Sequence, residues 1–307
     1  MTAIRDQTEA FGLRLFLRGV RTLGIKRASD LGNRLLRLLG PRSPRHSKVM
    51  HNLDIAFPDK DDAWRKRTAV AMWGDFGRSL AEYAYLPDLC GNVEGSRIDV
   101  VDHAGTEALA REKRPIVFVA AHQGNWNLPA VVGLRTGRRL SVLYRRRKNP
   151  HLEAVIEHWR NQMPCGFIDV GTRAPKAMLD ELRRGNCIGL FIDRRSRDGE
   201  QLPFFGLDTP TPTIAARLAL KTGAAFVPVR TERLPGVRFR ISLYPMITPD
   251  ADAADDRDRA RQMTESVNRL FESWIREHPE QWLSTAKRWP KETAGTFLSA
   301  KTDSLAL

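Results

Sequence analysis

A chain of 307 residues with 42% hydrophobic side chains holds enough apolar material for one large domain or two small ones. Its 50 Lys and Arg against 36 Asp and Glu leave a net charge of +14, so the surface seeks anions such as nucleic acid, anionic lipid or an acidic protein. Cys90, Cys165 and Cys187 are an odd, scattered set without a CxxC, which argues against a disulfide framework or a zinc site and fits a reducing, cytosolic setting.

Residues 11–39 set Phe11, Leu13, Leu15, Phe16, Leu17, Val20 and Leu23 among Arg14, Arg18, Arg21, Lys26 and Arg27. The pattern repeats with Leu31, Leu35, Leu36, Leu38 and Leu39 around Arg34 and Arg37. Too many arginines interrupt these helices for a membrane span, which needs ~18 apolar residues, and no cleavable signal peptide is visible. Basic amphipathic helices of this kind either lie among anionic headgroups or pack their leucines on a domain. Residues 40–47, GPRSPRHS, read as a connector. The expected division is an N-terminal amphipathic region over 1–44, a main domain over 45–295 and a tail over 296–307.

Helices are expected over Val49–Phe57 and Asp62–Leu86, the second carrying Trp64, Trp73, Phe76, Tyr83 and Tyr85 at core spacing. Val100-Val101 is a weak strand and Thr106–Arg111 a short helix. Ile116–Ala121 is a β-branched run with the composition of a strand covered on both faces, and it delivers His122. Gln123-Gly124-Asn125 is turn chemistry, with Asn125 placed to cap a helix running through Trp126, Leu128, Val131, Val132 and Leu134. Strand and helix then alternate: strand Leu140–Tyr144, helix Asn149–Met163, strand Phe167–Val170, helix Ala174–Arg183 and strand Cys187–Ile192. After an irregular stretch come helix Ile214–Thr222, strands Ala225–Arg230 and Phe239–Tyr244, helix Asp255–His278 and a tail element over Trp282–Trp289. Such alternation predicts an α/β fold with a mostly parallel central sheet flanked by helices.

Polar clusters stand at the ends of three strands: His122 to Asn127, Tyr144 to Asn149, and Asp193 to Asp198. The last two hold seven basic residues, either a solvated face or a mouth for phosphate groups, which arginine binds bidentately. The loop Leu202–Gly206 is apolar and stiff, suited to lining a groove or to packing. No GxGxxG, GxxxxGK[ST], HExxH or GxSxG occurs, so no cofactor and no metal is expected. Aromatics at core spacing and the lack of a nucleic-acid motif argue against nucleic-acid binding.

HQGNWN, YRRRKNPHLEAVIEHWR, GLFIDRRSRDGEQLPFFG, TPTPTIAARLALKTGAAFVPV and HPEQWLSTAKRW, preceded by NLDIAFPD at 52–59, together resemble the bacterial lipid A biosynthesis secondary (lauroyl or myristoyl) acyltransferases. The resemblance runs from about residue 45 to 290 in the family's order and spacing. A broader group sharing a His-x4-acid signature includes glycerolipid acyltransferases and mycobacterial phosphatidylinositol mannoside acyltransferases. The resemblance implies a glycerolipid-acyltransferase-like fold and acyl transfer from an acyl carrier protein thioester, or an acyl-CoA, to a lipid hydroxyl. The implied partners are that carrier protein, a lipid A precursor or other anionic lipid, and the cytoplasmic face of the inner membrane.

By the same resemblance His122 would be the general base, with Asn125, Trp126, Arg145, Arg160, Asp193, Arg194 and Gly206 binding substrate or holding geometry. Three places depart from the family pattern. Asn127 replaces its acid, and Arg194 stands where glutamine follows the aspartate matched by Asp193. Ala286-Lys287-Arg288-Trp289 likewise replaces His-Arg-Arg and an aromatic. An amide at 127 leaves three readings: an engineered inactivation, an enzyme that recruits another carboxylate such as Asp193 or Glu200, or a lipid-binding homologue without the chemistry.

Overall fold

The computed structural model describes residues 2–91 and 97–290; the expected tail over 296–307 lies outside them. The chain begins with helices α1 (Thr2–Thr22), α2 (Ile25–Leu39), α3 (His46–Ala56), α4 (Asp62–Glu82) and α5 (Leu86–Gly91). Asp61 caps α4 by accepting from Trp64 N–H. Then follow β1 (Ile98–Asp102), α6 (Thr106–Arg111), β2 (Ile116–Ala120), α7 (Val132–Thr136), β3 (Leu140–Tyr144) and α8 (Pro150–Arg160). The remainder is β4 (Gly166–Asp169), α9 (Ala174–Arg183), β5 (Cys187–Phe191), β6 (Glu200–Phe204), β7 (Leu207–Thr211), α10 (Ile214–Thr222), β8 (Ala225–Leu234), β9 (Arg238–Leu243) and α11 (Asp256–Glu277).

A 7-stranded sheet in the order β1-β9-β8-β2-β5-β3-β4 forms the middle layer. Strands β8, β2, β5, β3 and β4 run parallel, as the helical crossovers require. β9 turns back antiparallel on β8, and β1 follows β9. β2 is buried along its whole length, which explains its unbroken apolar sequence. One apolar cluster joins the sheet to α3, α4, α9, α10 and α11; the other joins its opposite face to α1, α5 and the residues after β2.

The structure corrects two sequence expectations. The helix expected from Asn125 is a 3₁₀ turn at Leu128–Val131 followed by the five-residue α7. Pro129 has no N–H to donate, and the Asn125 side chain turns to Asn127 and Glu82 rather than to a helix end. The stretch after Asp193, expected to be irregular, contains the antiparallel pair β6–β7. Its alternation of apolar Leu202 and Phe204 with exposed Gln201 and Pro203 is the period of a half-buried hairpin.

The amphipathic helices pack on the domain and keep exposed apolar residues. Leu17 and Val20 of α1 are buried, while Phe11 and Leu15 are 65% and 61% exposed. α2 crosses α4 at Gly32 and Gly77, so closely that a Cβ on Gly77 would stand 2.0 Å from the Gly32 carbonyl oxygen. Ala28, Ser29 and Gly32 form its buried face, and Leu31, Leu35, Leu38 and Leu39 remain exposed. No helix among the described residues is long and apolar enough to cross a membrane.

Candidate active site

In the parallel register Ala120 of β2 faces Phe191 of β5. Two residues beyond each partner, at the carboxyl ends of these strands, stand His122 and Asp193. Their separation of 71 positions in the chain is thus closed by strand pairing, and His122 Nδ1 lies 2.6 Å from Asp193 Oδ1. Trp282 Nε1 donates to the other carboxylate oxygen at 3.1 Å. The imidazole packs on Phe191 at 4.5 Å between ring centroids.

Burial favours the neutral acid at Asp193, but the opposing effects of His122 and Arg194 prevail and hold the carboxyl well below its usual range. An ionised Asp193 accepts only, so the proton on the facing ring nitrogen is Nδ1–H. With Nδ1 as the donor, the neutral tautomer carries its lone pair on Nε2. The His122 side chain is 15% exposed against 1% for Asp193, so the imidazole has access to the surface and its partner is covered.

The turn carrying His122 is held from several sides. Leu283 N–H donates to the His122 carbonyl, and Gly124 N–H to the Gln281 carbonyl. Gly124 adopts φ +56, and a Cβ there would stand 2.8 Å from the Thr231 carbonyl oxygen. Asn125 donates to Glu82 at 2.9 Å, while its Oδ1 accepts from the Asn127 amide side chain at 3.1 Å. Glu82 also binds Ser29 and Arg233, and Arg233 reaches Asp75 and Ser79. One guanidinium therefore serves two buried carboxylates, and burial raises the Asp75 pKa to about 6 despite Arg233.

The other expected residues are spread around this centre. Arg145 and Arg194 are exposed at the ends of adjacent strands β3 and β5, among Arg146, Arg147, Lys148, Arg195 and Arg197. Arg160 is 5% exposed, bound to Glu153 at 3.0 Å, with its guanidinium over the Tyr144 ring. Glu153 also accepts from Tyr144 Oη and Arg147 N–H, so the Arg160 pair pins the start of the basic segment. Trp126 packs near Phe76. Gly206 has φ +73 in the β6–β7 turn beside Phe205, itself left-handed, a pairing that two-residue hairpin turns demand.

Phe191, on which His122 packs, also lines a narrow apolar cavity of about 20 Å³ together with residues including Phe118, Ala120, Val132, Val142 and Gly189. That is space for little more than a single small group. Sequence reasoning missed Trp282, Glu82 and Arg233. Trp282 was visible inside HPEQWLSTAKRW, but nothing in one sequence ties a tail indole to Asp193. Glu82 and Arg233 lie at the ends of a helix and a strand, where charged residues are ordinarily solvated.

Taken together, these features define an α/β protein with a His–Asp pair at the carboxyl edge of its parallel strands. The profile of the bacterial lipid A biosynthesis acyltransferases matches residues 7–291, and the chain belongs to that family. A phosphatidylinositol mannoside acyltransferase from Mycolicibacterium smegmatis is 27% identical over 223 residues, covering 71% of each chain. The Escherichia coli lipid A biosynthesis myristoyltransferase is 24% identical over 253 residues, 80% of this chain and 74% of its own. The lauroyltransferase of the same organism is 23% identical over 262 residues, 82% and 81%. Among solved structures, the 1-acyl-sn-glycerophosphate acyltransferase of Thermotoga maritima is similar at 17% identity with a TM-score of 0.36, covering 84% of this chain and 97% of that one.

Proposed function

We propose that this acyltransferase moves a fatty acyl group from an acyl carrier protein or coenzyme A thioester to a hydroxyl of a lipid A precursor or a related anionic glycolipid. His122 Nε2 takes the hydroxyl proton as the oxygen attacks the thioester carbonyl. The C–S bond then breaks, and the thiolate leaves with the proton returned from the imidazolium, so no acyl-enzyme is required. The observation that carries this reading is the 2.6 Å contact of His122 with Asp193. It supplies the negative charge that an amide at 127 lacks, fixes the tautomer and stabilises the imidazolium, as the aspartate does in serine-protease triads.

Arg145 and Arg194 bind anionic groups of donor or acceptor, and Arg160 holds the end of β3 on which Arg145 stands. Asn127 and Asn125 brace the turn. The acyl chain enters the apolar cavity, which must widen by movement of residues such as Phe191, because about 20 Å³ admits no long chain. Residues 1–44 lie at the cytoplasmic face of the inner membrane, where Phe11, Leu15, Leu38 and Leu39 meet lipid.

Purified protein should acylate one of two acceptors, a lipid A precursor or a phosphatidylinositol mannoside, when given acyl carrier protein thioester, and mass spectrometry would identify the product. His122→Ala should abolish it. Asn127 motivates a second reading, a lipid-binding homologue without chemistry. Lack of product from either thioester, with lipid binding and cellular phenotype unchanged by His122→Ala, would select that reading.

A further inference from the structure

α1 and α8 enclose a cleft of about 290 Å³, lined by Arg14 and Arg18 from the first helix and by Ala154, Val155, His158 and Trp159 from the second. No carboxylate lines it. Arg14 and Arg18 stand one helical turn apart, where like charges repel, and neither has an ion pair or hydrogen bond to another described residue. The next arginine on this side of α1 is differently placed. Arg21 binds Asp88 at 3.0 Å and lies 5.6 Å from the ring centroids of both Tyr85 and Trp159, so its charge is spent in fastening the helix.

Two guanidiniums and an imidazole converging on an open cleft match the oxygens of a phosphate group, which arginine binds bidentately. Phe11 and Leu15 are exposed on the same helix, three residues before Arg14 and Arg18 respectively, which puts apolar side chains next to the cleft's rim without lining it. A free phosphate would use the arginines alone. A lipid would use both features.

We propose that the α1–α8 cleft is a binding site for the phosphate of an anionic phospholipid headgroup, with Phe11 and Leu15 against its acyl chains. The site is separate from the His122–Asp193 pair and needs no catalysis, but it rests on the reading of residues 1–44 as the membrane-contact region. It makes that contact headgroup-specific rather than a general attraction of +14 for negative surfaces.

The full chain would be sedimented with phosphatidylcholine vesicles and with vesicles containing phosphatidylglycerol. Arg14→Lys with Arg18→Lys keeps the charge but loses bidentate geometry, and Ala154→Glu places a carboxylate in the cleft. Each should weaken binding to the anionic vesicles by about tenfold, the effect of one good interaction, and leave binding to phosphatidylcholine unchanged. Wild-type binding that survives both changes overturns the site while leaving membrane association intact.

Failure of the wild type to sediment with either vesicle contradicts membrane association instead, and inorganic phosphate then decides the cleft. Thermal stabilisation by phosphate in the wild type, lost in both variants, keeps a phosphate site supplied from solution and removes the lipid. Absence of that stabilisation removes the site altogether.

Discussion

Asp193 and Asn127 compete for one role in any account of His122. Asn127 is near in sequence but its side-chain amide donates to Asn125, whereas Asp193 reaches Nδ1 across paired strands. Asn127→Ala should therefore disturb the turn and lower acyl transfer by no more than about tenfold, the scale of one lost neutral hydrogen bond. Asp75 gives a second test at this scale. An unfolded aspartate ionises near 3.8, but burial lets the folded protein hold the Asp75 proton up to about 6. Between those values the native state binds more protons, so this group's contribution to stability falls as pH rises through the window and levels off above it. Urea unfolding across the window should show Asp75→Asn with a flatter pH slope; a slope equal to the wild type would contradict a carboxyl whose proton is held by burial.

Elements with a single strong period were legible in the sequence. The spans expected for β3, α6, α9 and α10 match the structure residue for residue, because flanking turn residues punctuate clear apolar patterns. β6–β7 was not legible: Pro203 and Pro210 mask the strand pattern, and its alternation spans only five residues a side. The helix expected from Asn125 starts late: Leu128, Val131 and Val132 satisfy helical spacing, but the segment around Pro129 is a 3₁₀ turn and the α-helix begins only at Val132. His122 and the basic rim could be found from strand ends. The Asp193 partnership could only be named as one possibility, since register between β2 and β5 is set by packing across the sheet rather than by either strand alone.

The α2–α4 crossing shows how much one missing atom decides. Each glycine there lets the other backbone approach, and Ser29 above the crossing binds Glu82, which in turn holds Asn125 in the His122 turn. Gly77→Ala should cost about 1–3 kcal/mol through overpacking. Chemical denaturation would measure it, and a stability equal to the wild type would mean that the helices separate freely.

Across the whole molecule, charge and apolar surface are divided between two ends of one task. The basic rim follows the ends of β3 and β5, with Arg194 next to Asp193, and α1 and α2 expose leucines and a phenylalanine among arginines. Attraction to anionic vesicles should weaken as salt rises, since exposed charges are screened within about 8 Å at physiological ionic strength. A binding curve unaffected by salt would assign the contact to the apolar residues alone.

Either Asp193 or Asn127 serves His122. The decisive measurement is kcat for acyl transfer by Asp193→Asn beside Asn127→Ala, with folding verified by circular dichroism. Asp193→Asn should lose about 10³ or more, approaching the ~10⁴ of the matching change in a serine protease, while Asn127→Ala stays within about tenfold of the wild type. An Asp193→Asn enzyme working at the wild-type rate, with Asn127→Ala inactive, would contradict the Asp193 assignment.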